Sequence, residues 1–214
     1  YGNAFVGDVG SNIVHRKTLA GDGIELTANR AEEGVEFLAS RDIWFRPAQF
    51  ANAPDGGLYV MDVYREVIEH PDSLHPVIKK HLDLTNGRDR GRIYRVVPEG
   101  FKHRPTPKLS QADTAELVAL LAHPNGWHRD TAARLLFERQ DKSAIPLLRE
   151  MVISSESPFG RMRALYVLDG MNALDESSVL AGLNDASPRV QEHAVRLSEP
   201  FIASSPAIQE RLLA

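Results

Sequence analysis

The pattern of hydrophobic and polar positions changes near the middle of the chain. Up to about residue 98, short aromatic and β-branched runs alternate with Gly, Pro, Asn and Asp turn signals, as in short β-strands. From Ser110 onward, apolar residues recur at three- and four-residue intervals, which is typical of amphipathic helices. We therefore predict a strand region at 1–98, a linker at 99–109 and a helical region at 110–214.

The strand region has the pattern of a β-propeller blade edge. We predict strands at 4–9, 12–19 and 24–27, an aromatic strand at 42–47, a Pro54-Asp55-Gly56 turn, and strands at 58–62 and 91–96. Propeller blades take about 40 to 50 residues each and closed propellers have at least about four, so this length supplies only about two. We expect the remaining blades, or another chain, to complete the sheet. A small independent sandwich is the alternative.

The helical region predicts a HEAT-like solenoid. Ser-Pro pairs at Ser157, Ser187 and Ser205 place a capping hydroxyl before a proline suited to the first helical turn. Similar apolar helices align on Ala132, Ala164 and Ala194, in steps of 32 and 30 residues. A second apolar helix follows each of them, at 145–151, 178–183 and 208–213, and 114–122 predicts an opening helix. Helix pairs repeated at about this spacing are typical of HEAT-like solenoids.

Composition excludes several classes of protein. The formal net charge of −4 provides no net attraction to nucleic acid. The absence of cysteine excludes disulfides, thiolate zinc sites, covalent c-type haem and a cysteine nucleophile in this chain. No uninterrupted apolar run reaches the roughly 18 residues that a membrane span requires.

The strand region also resembles a known family. The residues that carry the resemblance are the Trp44-Phe45-Arg46-Pro47 run and the segments 62–71, 78–84 and 87–98. They are similar to the end of the propeller in the predicted membrane-bound dehydrogenases of planctomycete-type bacteria, and more distantly to aldose and sorbosone dehydrogenases. The resemblance implies propeller blades followed by helical repeats, a periplasmic or extracytoplasmic location, and pyrroloquinoline quinone as cofactor of the full-length protein. We expect no cofactor in this fragment.

Four residues are candidates for cofactor binding. Arg46 precedes a proline on a predicted strand, and its guanidinium could meet a carboxylate-rich ligand in the propeller channel. The alternative is that Arg46 pairs with Asp62 or Asp42 and locks neighbouring strands. Asp62, Tyr64 and Arg65 follow the second strand of the hairpin, where the chain emerges toward a rim; alternatively, Asp62 only ends the strand and Arg65 is solvated. No catalytic residue is predicted.

The segment between Tyr64 and Gly91 carries His70, His75 and His81 with several carboxylates. Their spacings of five and six residues do not match the i, i+4 pair of helical metal sites, so we predict locally hydrogen-bonded loop residues and no metal. The neighbouring basic positions are interleaved with acidic ones, which favours local ion pairs over an anion site; they are Lys79, Lys80, Arg88, Arg90, Arg92 and Arg95.

Two functions follow from these patterns. In the first, the chain is the C-terminal fragment of a propeller-type sugar or alcohol dehydrogenase and is itself structural, without an identifiable catalytic site. In the second, it is a scaffold that binds a protein partner on the concave face of the helical repeats. Either way, the expected fold is a mixed β and α multidomain protein: an incomplete β-propeller followed by a HEAT-like solenoid.

Overall fold

The computed structural model describes residues 2–21, 25–103 and 105–214. The chain divides into two compact units, one of residues 1–104 and one of residues 105–214. The first contains the strands and the second contains most of the helices. The mixed β and α architecture predicted from the sequence is thereby confirmed.

The first sheet is built around one central strand. It contains β1 (Asn3–Asp8), β2 (Ile13–Ala20), β3 (Thr27–Arg30) and β4 (Leu38–Ala39). All pairings are antiparallel: β1 pairs with β2, and both β3 and β4 pair with different halves of β2. The first two predicted strands are confirmed. Of the predicted strand at 24–27, Ile24 lies outside the described residues, and the observed strand begins at Thr27.

The second sheet is a three-stranded antiparallel meander. It contains β5 (Pro47–Asn52), β6 (Leu58–Asp62) and β7 (Arg92–Val96), in that order. Between β5 and β6, the Ala53 N–H donates to the Gly57 carbonyl at 2.8 Å, and Asp55 Oδ1 accepts the Gly57 N–H at 3.1 Å. Gly56 has a φ of 94°, a conformation that favours glycine. The predicted Pro-Asp-Gly turn and the strands at 58–62 and 91–96 are confirmed.

The prediction of an aromatic strand at 42–47 is wrong. Strand β5 begins only at Pro47, and the preceding residues form a turn. Asp42 causes this turn because its Oδ1 accepts the Trp44 N–H at 3.0 Å and its carbonyl accepts the Phe45 N–H at 3.0 Å. An aspartate that bonds the backbone two residues on competes with the strand ladder. Phe45, only 3% exposed, then packs into the interior of the strand unit.

The segment between the second and third strands of this sheet is largely exposed. It carries a 3₁₀ turn at Pro71–Ser73 and one short helix, α1 (Pro76–Lys79). His70 and His75 precede them, and the Nδ1 atom of each accepts a backbone N–H at 3.3 Å, from Asp72 and Val77 respectively. These two histidines therefore make the local hydrogen bonds that the sequence predicts.

The helical unit consists of two layers of alternating helices. Its elements are α2 (Thr114–Leu120), α3 (Gly126–Arg139), α4 (Ala144–Ser154), α5 (Pro158–Gly170), α6 (Glu176–Leu183), α7 (Pro188–Leu197) and α8 (Pro206–Leu213). Helices α3, α5 and α7 pack side by side in one layer, and α2, α4, α6 and α8 form the other. The three predicted Ser-Pro helix starts are confirmed at Ser157, Ser187 and Ser205. This stacking of helix pairs is the arrangement of a solenoid.

The helical unit has two hydrophobic clusters. The larger one extends through helices α2 to α7 and includes Leu117, Leu148 and Leu168, each 0% exposed. The smaller one lies at the C-terminal end of the unit and contains Val179, Leu183, Ala194 and Ile208. The alanines used to align the repeats, Ala132, Ala164 and Ala194, are 0% exposed, which explains the small residue at this position in each copy.

The same turn precedes α3, α5 and α7. In each, the N-cap backbone N–H donates to the side chain two residues earlier: Asn125 to His123 Nδ1 (3.0 Å), Ser157 to Ser155 Oγ (3.3 Å) and Ser187 to Asp185 Oδ1 (2.7 Å). Six residues after each acceptor, a long side chain donates back to the acceptor residue's carbonyl: Arg129 (2.6 Å), Arg161 (2.7 Å) and Gln191 (2.6 Å). These turns repeat in the same steps of 32 and 30 residues as the alanines.

Candidate functional site

Arg46 is the centre of the strand unit's polar interior. It lies directly before β5 and is 9% exposed. Its guanidinium donates to three backbone carbonyls from two distant segments: Nη1 to Val9 at 2.7 Å, Nε to Arg65 at 2.9 Å and Nη2 to Glu66 at 2.7 Å. A planar guanidinium can satisfy several carbonyls at once, so Arg46 joins the end of β1 to the segment that follows β6.

Asp62 is the last residue of β6, and both of its side-chain oxygens have partners. Its side chain is 0% exposed. Oδ1 accepts the backbone N–H groups of Arg46 and Tyr64, both at 2.8 Å, and Oδ2 lies 3.0 Å from Arg92 Nη2. A buried carboxylate needs such partners, because burial otherwise penalises its charged form. Asp62 therefore binds the backbone of Arg46, while the Arg46 side chain bonds to carbonyls instead.

Tyr64 and Arg65 complete the cluster. The guanidinium carbon of Arg92 lies 3.6 Å from the centre of the Tyr64 ring. The centres of the Trp44 and Tyr64 rings are 5.4 Å apart. Arg65 donates its backbone N–H to the Trp44 carbonyl at 3.1 Å. The Nη1 atom of Arg65 is buried and has no hydrogen-bond partner in the part of the chain that the structure describes.

The structure thus brings the four predicted site residues together. We call Arg46, Asp62, Tyr64, Arg65 and Arg92 the arginine cluster. Sequence reasoning placed Arg92 only in a basic run, but β7 pairs with β6 so that Arg92 lies directly opposite Asp62. The cluster has a structural effect, because its charge-assisted hydrogen bonds join the ends of β1, β5, β6 and β7. Its role in cofactor binding stays a prediction.

Asp42 extends the cluster toward solvent. Its Oδ2 lies 3.4 Å from Arg92 Nη2. The Trp44 N–H, and to a smaller extent Arg92, lower the pKa of the Asp42 carboxyl below its ordinary value, against the effect of desolvation. Arg95, the other basic residue of β7, pairs with Asp55 in the hairpin turn. Ion pairs therefore account for both arginines, but the acidic partners lie across the sheet and are not the interleaved acidic residues that the sequence favours.

A second candidate site is the outer face of the layer formed by α3, α5 and α7. Residues spaced by three, four and seven positions share one side of a helix. The half-buried or exposed residues at these spacings are Trp127, Asp130 and Arg134 of α3; Phe159, Met162, Arg163 and Tyr166 of α5; and Arg189, Glu192, His193 and Arg196 of α7. We call this set the α3–α5–α7 face.

Two contacts across neighbouring helices fix this face. Tyr166 Oη lies 2.9 Å from His193 Nδ1, which joins α5 to α7. Arg163 forms an ion pair with Asp130, which joins α5 to α3. Trp127, Phe159, Met162 and Tyr166 are half-buried. These contacts hold Tyr166 and Arg163 between neighbouring helices.

Comparison with known families agrees with the division into two units. Residues 1–100 match the family model of a domain of unknown function, DUF7133. Residues 114–199 match the family model of HEAT repeats, and the helical unit is accordingly a HEAT-repeat unit. No curated protein and no solved structure matches the chain.

Two further observations concern the described residues as a whole. No helix among them is both long and apolar enough to cross a membrane. Within the same residues, no three His, Cys, Asp or Glu side chains are grouped as a metal site would require.

Proposed function

We propose that the helical unit is a protein-binding scaffold and that its partner docks on the α3–α5–α7 face. The observation that carries this proposal is the chemistry of that face, which combines Trp, Phe, Met and Tyr with four arginines on three neighbouring helices. Aromatic residues, Met and Arg are enriched in protein interfaces, and Trp, Tyr and Arg dominate their binding energy. HEAT-type solenoids commonly use such extended surfaces for protein binding.

Charge adds a property of the expected partner. Three of the four arginines already have acidic neighbours: Arg163 pairs with Asp130, Arg134 with Glu138 and Arg189 with Glu192. The face therefore offers little net charge, and its half-buried aromatic and Met side chains are the natural anchors for apolar groups of a partner. The contact of Tyr166 with His193 and the ion pair of Arg163 with Asp130 hold Tyr166 and Arg163 before binding, which lowers the entropic cost of association for these two side chains.

The experiment is capture of a partner by matched variants. The full chain is immobilised as wild type, as the double variant Trp127→Ala/Tyr166→Ala, and as Ile153→Ala. Ile153 is 75% exposed on α4, in the other layer, and so controls for loss of an exposed apolar side chain. A protein retained by the wild type and by Ile153→Ala, but lost by the double variant with unchanged helical circular dichroism, supports the proposal. Equal retention by all three contradicts it.

For the strand unit we propose the C-terminal sector of a β-propeller in a sugar or alcohol dehydrogenase, itself structural. Two antiparallel sheets that follow one another along the chain support this proposal, because propeller blades are arranged in this way. The outer strand β7 pairs only with β6 among the described strands, and Ile93 on it is 69% exposed. Further blades, or another chain, would add to this edge.

The dehydrogenase proposal includes pyrroloquinoline quinone as cofactor of the full-length protein. The buried Nη1 of Arg65 supports a ligand near the arginine cluster, whereas the donors of Arg46 described above already bond to backbone carbonyls. The test is dye reduction by this chain and by the full-length gene product, each with and without the quinone and calcium. Activity of the gene product alone supports the proposal, and activity of neither removes it.

The proposed location is periplasmic or extracytoplasmic. Fractionation of the source cells, with detection of the native protein by antibody, tests this directly. Recovery with the cytoplasmic marker enzymes would contradict it.

A further inference from the structure

His123 accepts the N-cap N–H in the turn before α3, where the corresponding turns before α5 and α7 use a different type of acceptor. In the turns before α5 and α7, the acceptor of the N-cap N–H is the hydroxyl of Ser155 or the carboxylate of Asp185. Before α3, the acceptor is an imidazole nitrogen, His123 Nδ1, at 3.0 Å from the Asn125 nitrogen. A hydroxyl keeps its acceptor lone pairs at any physiological pH, and a carboxylate keeps them down to about pH 4, but an imidazole nitrogen loses its lone pair on protonation.

The surroundings of His123 also oppose a positive charge. Its ring stacks on the ring of His128, with centroids 4.0 Å apart and planes 30° apart. Arg129 Nη1 donates to the His123 carbonyl at 2.6 Å, which brings a permanent cation to the same turn. Two charged residues line the same groove as His123: Lys108, which precedes the 3₁₀ turn Leu109–Gln111, and Glu116 of α2. From α5, the uncharged Gly160 lies against the neighbouring Ala122.

We propose that His123 is a pH-sensitive switch at the start of α3, closed when its imidazole is neutral and opened by protonation. On protonation, Nδ1 becomes a donor and faces the Asn125 N–H, so two donors oppose each other and the turn loses its hydrogen bond. Asn125 is the N-cap of α3, and its Oδ1 accepts the Trp127 N–H at 3.0 Å. Opening the turn therefore loosens the helix end that carries Trp127.

The direction of the pH dependence follows from burial and charge. Burial, and after it the charges of His128 and Arg129, lower the pKa of His123 below its ordinary value. A group with a lowered pKa in the folded state stabilises the fold fully above its ordinary pKa, which is about 6.5 for histidine. That contribution is lost as the pH falls below this value and through the folded pKa. The inference does not depend on what the α3–α5–α7 face binds.

The test uses the full chain in a nuclear magnetic resonance titration between about pH 8 and pH 5. The imidazole signals of His123 give its pKa, which is compared with that of a short peptide of residues 119–127. Amide hydrogen exchange of Asn125, corrected for its intrinsic pH dependence, is followed in parallel, with the Ser157 and Ser187 amides as internal controls. We expect a lower pKa in the protein than in the peptide, and a several-fold faster exchange at Asn125 that follows the His123 titration.

The variant His123→Ser installs the acceptor of the second repeat. In it, Asn125 exchange should lose its dependence on pH and resemble that of Ser157. An equal or higher pKa of His123 in the protein overturns the proposal, and so does Asn125 exchange that does not follow the titration. The wild-type titration decides the question even if the variant does not fold.

Discussion

Arg161 and Asp185 form a two-point ion pair across two successive repeats. Nε of Arg161 lies 2.6 Å from Oδ2 of Asp185, and Nη2 lies 2.7 Å from Oδ1. The two side chains are only 15% and 6% exposed. Because Arg161 also bonds to the Ser155 carbonyl and Asp185 to the Ser187 N–H, this pair connects the turn before α5 to the turn before α7.

Replacing Asp185 by asparagine should strongly destabilise the helical unit. The amide keeps an acceptor for the Ser187 N–H but leaves the Arg161 guanidinium without its charged partner. Breaking a buried pair in this way costs about 3 kcal/mol. Urea unfolding monitored by circular dichroism measures the loss.

The matched control is Glu138→Gln, which breaks the exposed pair with Arg134. The side chain of Arg134 is 63% exposed and that of Glu138 is 51% exposed. Exposed pairs of this kind contribute at most about 0.5 kcal/mol. Equal effects of the two variants would show that burial of the Arg161–Asp185 pair contributes nothing.

The same pair should make stability depend on acid. Burial opposes ionisation of Asp185, but Arg161 and the Ser187 N–H outweigh it and lower the carboxyl pKa below its ordinary value. The contribution is therefore complete above the ordinary pKa of about 3.9, and is lost as the pH falls through the lowered folded value. The stability difference between wild type and Asp185→Asn should shrink between about pH 5 and pH 2. A difference that stays constant in urea titrations across this range would refute the assignment.

Arg46→Lys should destabilise the strand unit although the charge is kept. A lysine ammonium cannot reach the carbonyls of Val9, Arg65 and Glu66 with the fork geometry of a guanidinium. Buried carbonyls left without donors cost about 1 to 3 kcal/mol, and these carbonyls are partly buried, so we expect a loss at the lower end, about 1 kcal/mol. Denaturation monitored by the fluorescence of Trp44, in a Trp127→Phe background, reports on this unit. Arg88→Lys, at an exposed position, is the control and should leave the midpoint unchanged.

Gly87→Ala should be far more damaging than Gly100→Ala. Both glycines have a positive φ, 84° and 73°, so both variants carry similar backbone strain. An added Cβ at Gly87 would overlap the carbonyl oxygen of Tyr64, whereas at Gly100 it would meet nothing within 4 Å. The melting temperatures of the two variants, measured by thermal unfolding, separate the cost of backbone strain from the cost of the overlap with Tyr64. Similar melting temperatures would mean that the close approach of Gly87 to the arginine cluster is not required.

The helical unit could be predicted well because its signals are local. A Ser-Pro start and the apolar spacing that follows lie within one helix, and the alanine at the core repeats with the helix pair. The sequence therefore indicated the starts of α5, α7 and α8 as the structure has them. The turns at His123, Ser155 and Asp185 were missed because three different residue types make the same hydrogen bond.

The arginine cluster could be predicted only in part, because its partners are distant along the chain. The sequence favoured Arg46, Asp62, Tyr64 and Arg65, which do lie together. It could not show that the Arg46 guanidinium bonds to backbone carbonyls, since a carbonyl leaves no signal in the residue type. Arg92 was not selected for the cluster because its position opposite Asp62 depends on strand register, which pairs residues 30 positions apart.

Because the helical unit has two separate hydrophobic clusters, its parts should unfold in sequence. In a solenoid each repeat depends only on its neighbours, so a small terminal cluster can come apart while the rest persists. Helix α8 contributes Ile208 to the smaller cluster, and no residue of α8 belongs to the larger one among the described residues. Loss of the packing around Ile208 should thus release α8 while Leu117, Leu148 and Leu168 of the larger cluster stay packed.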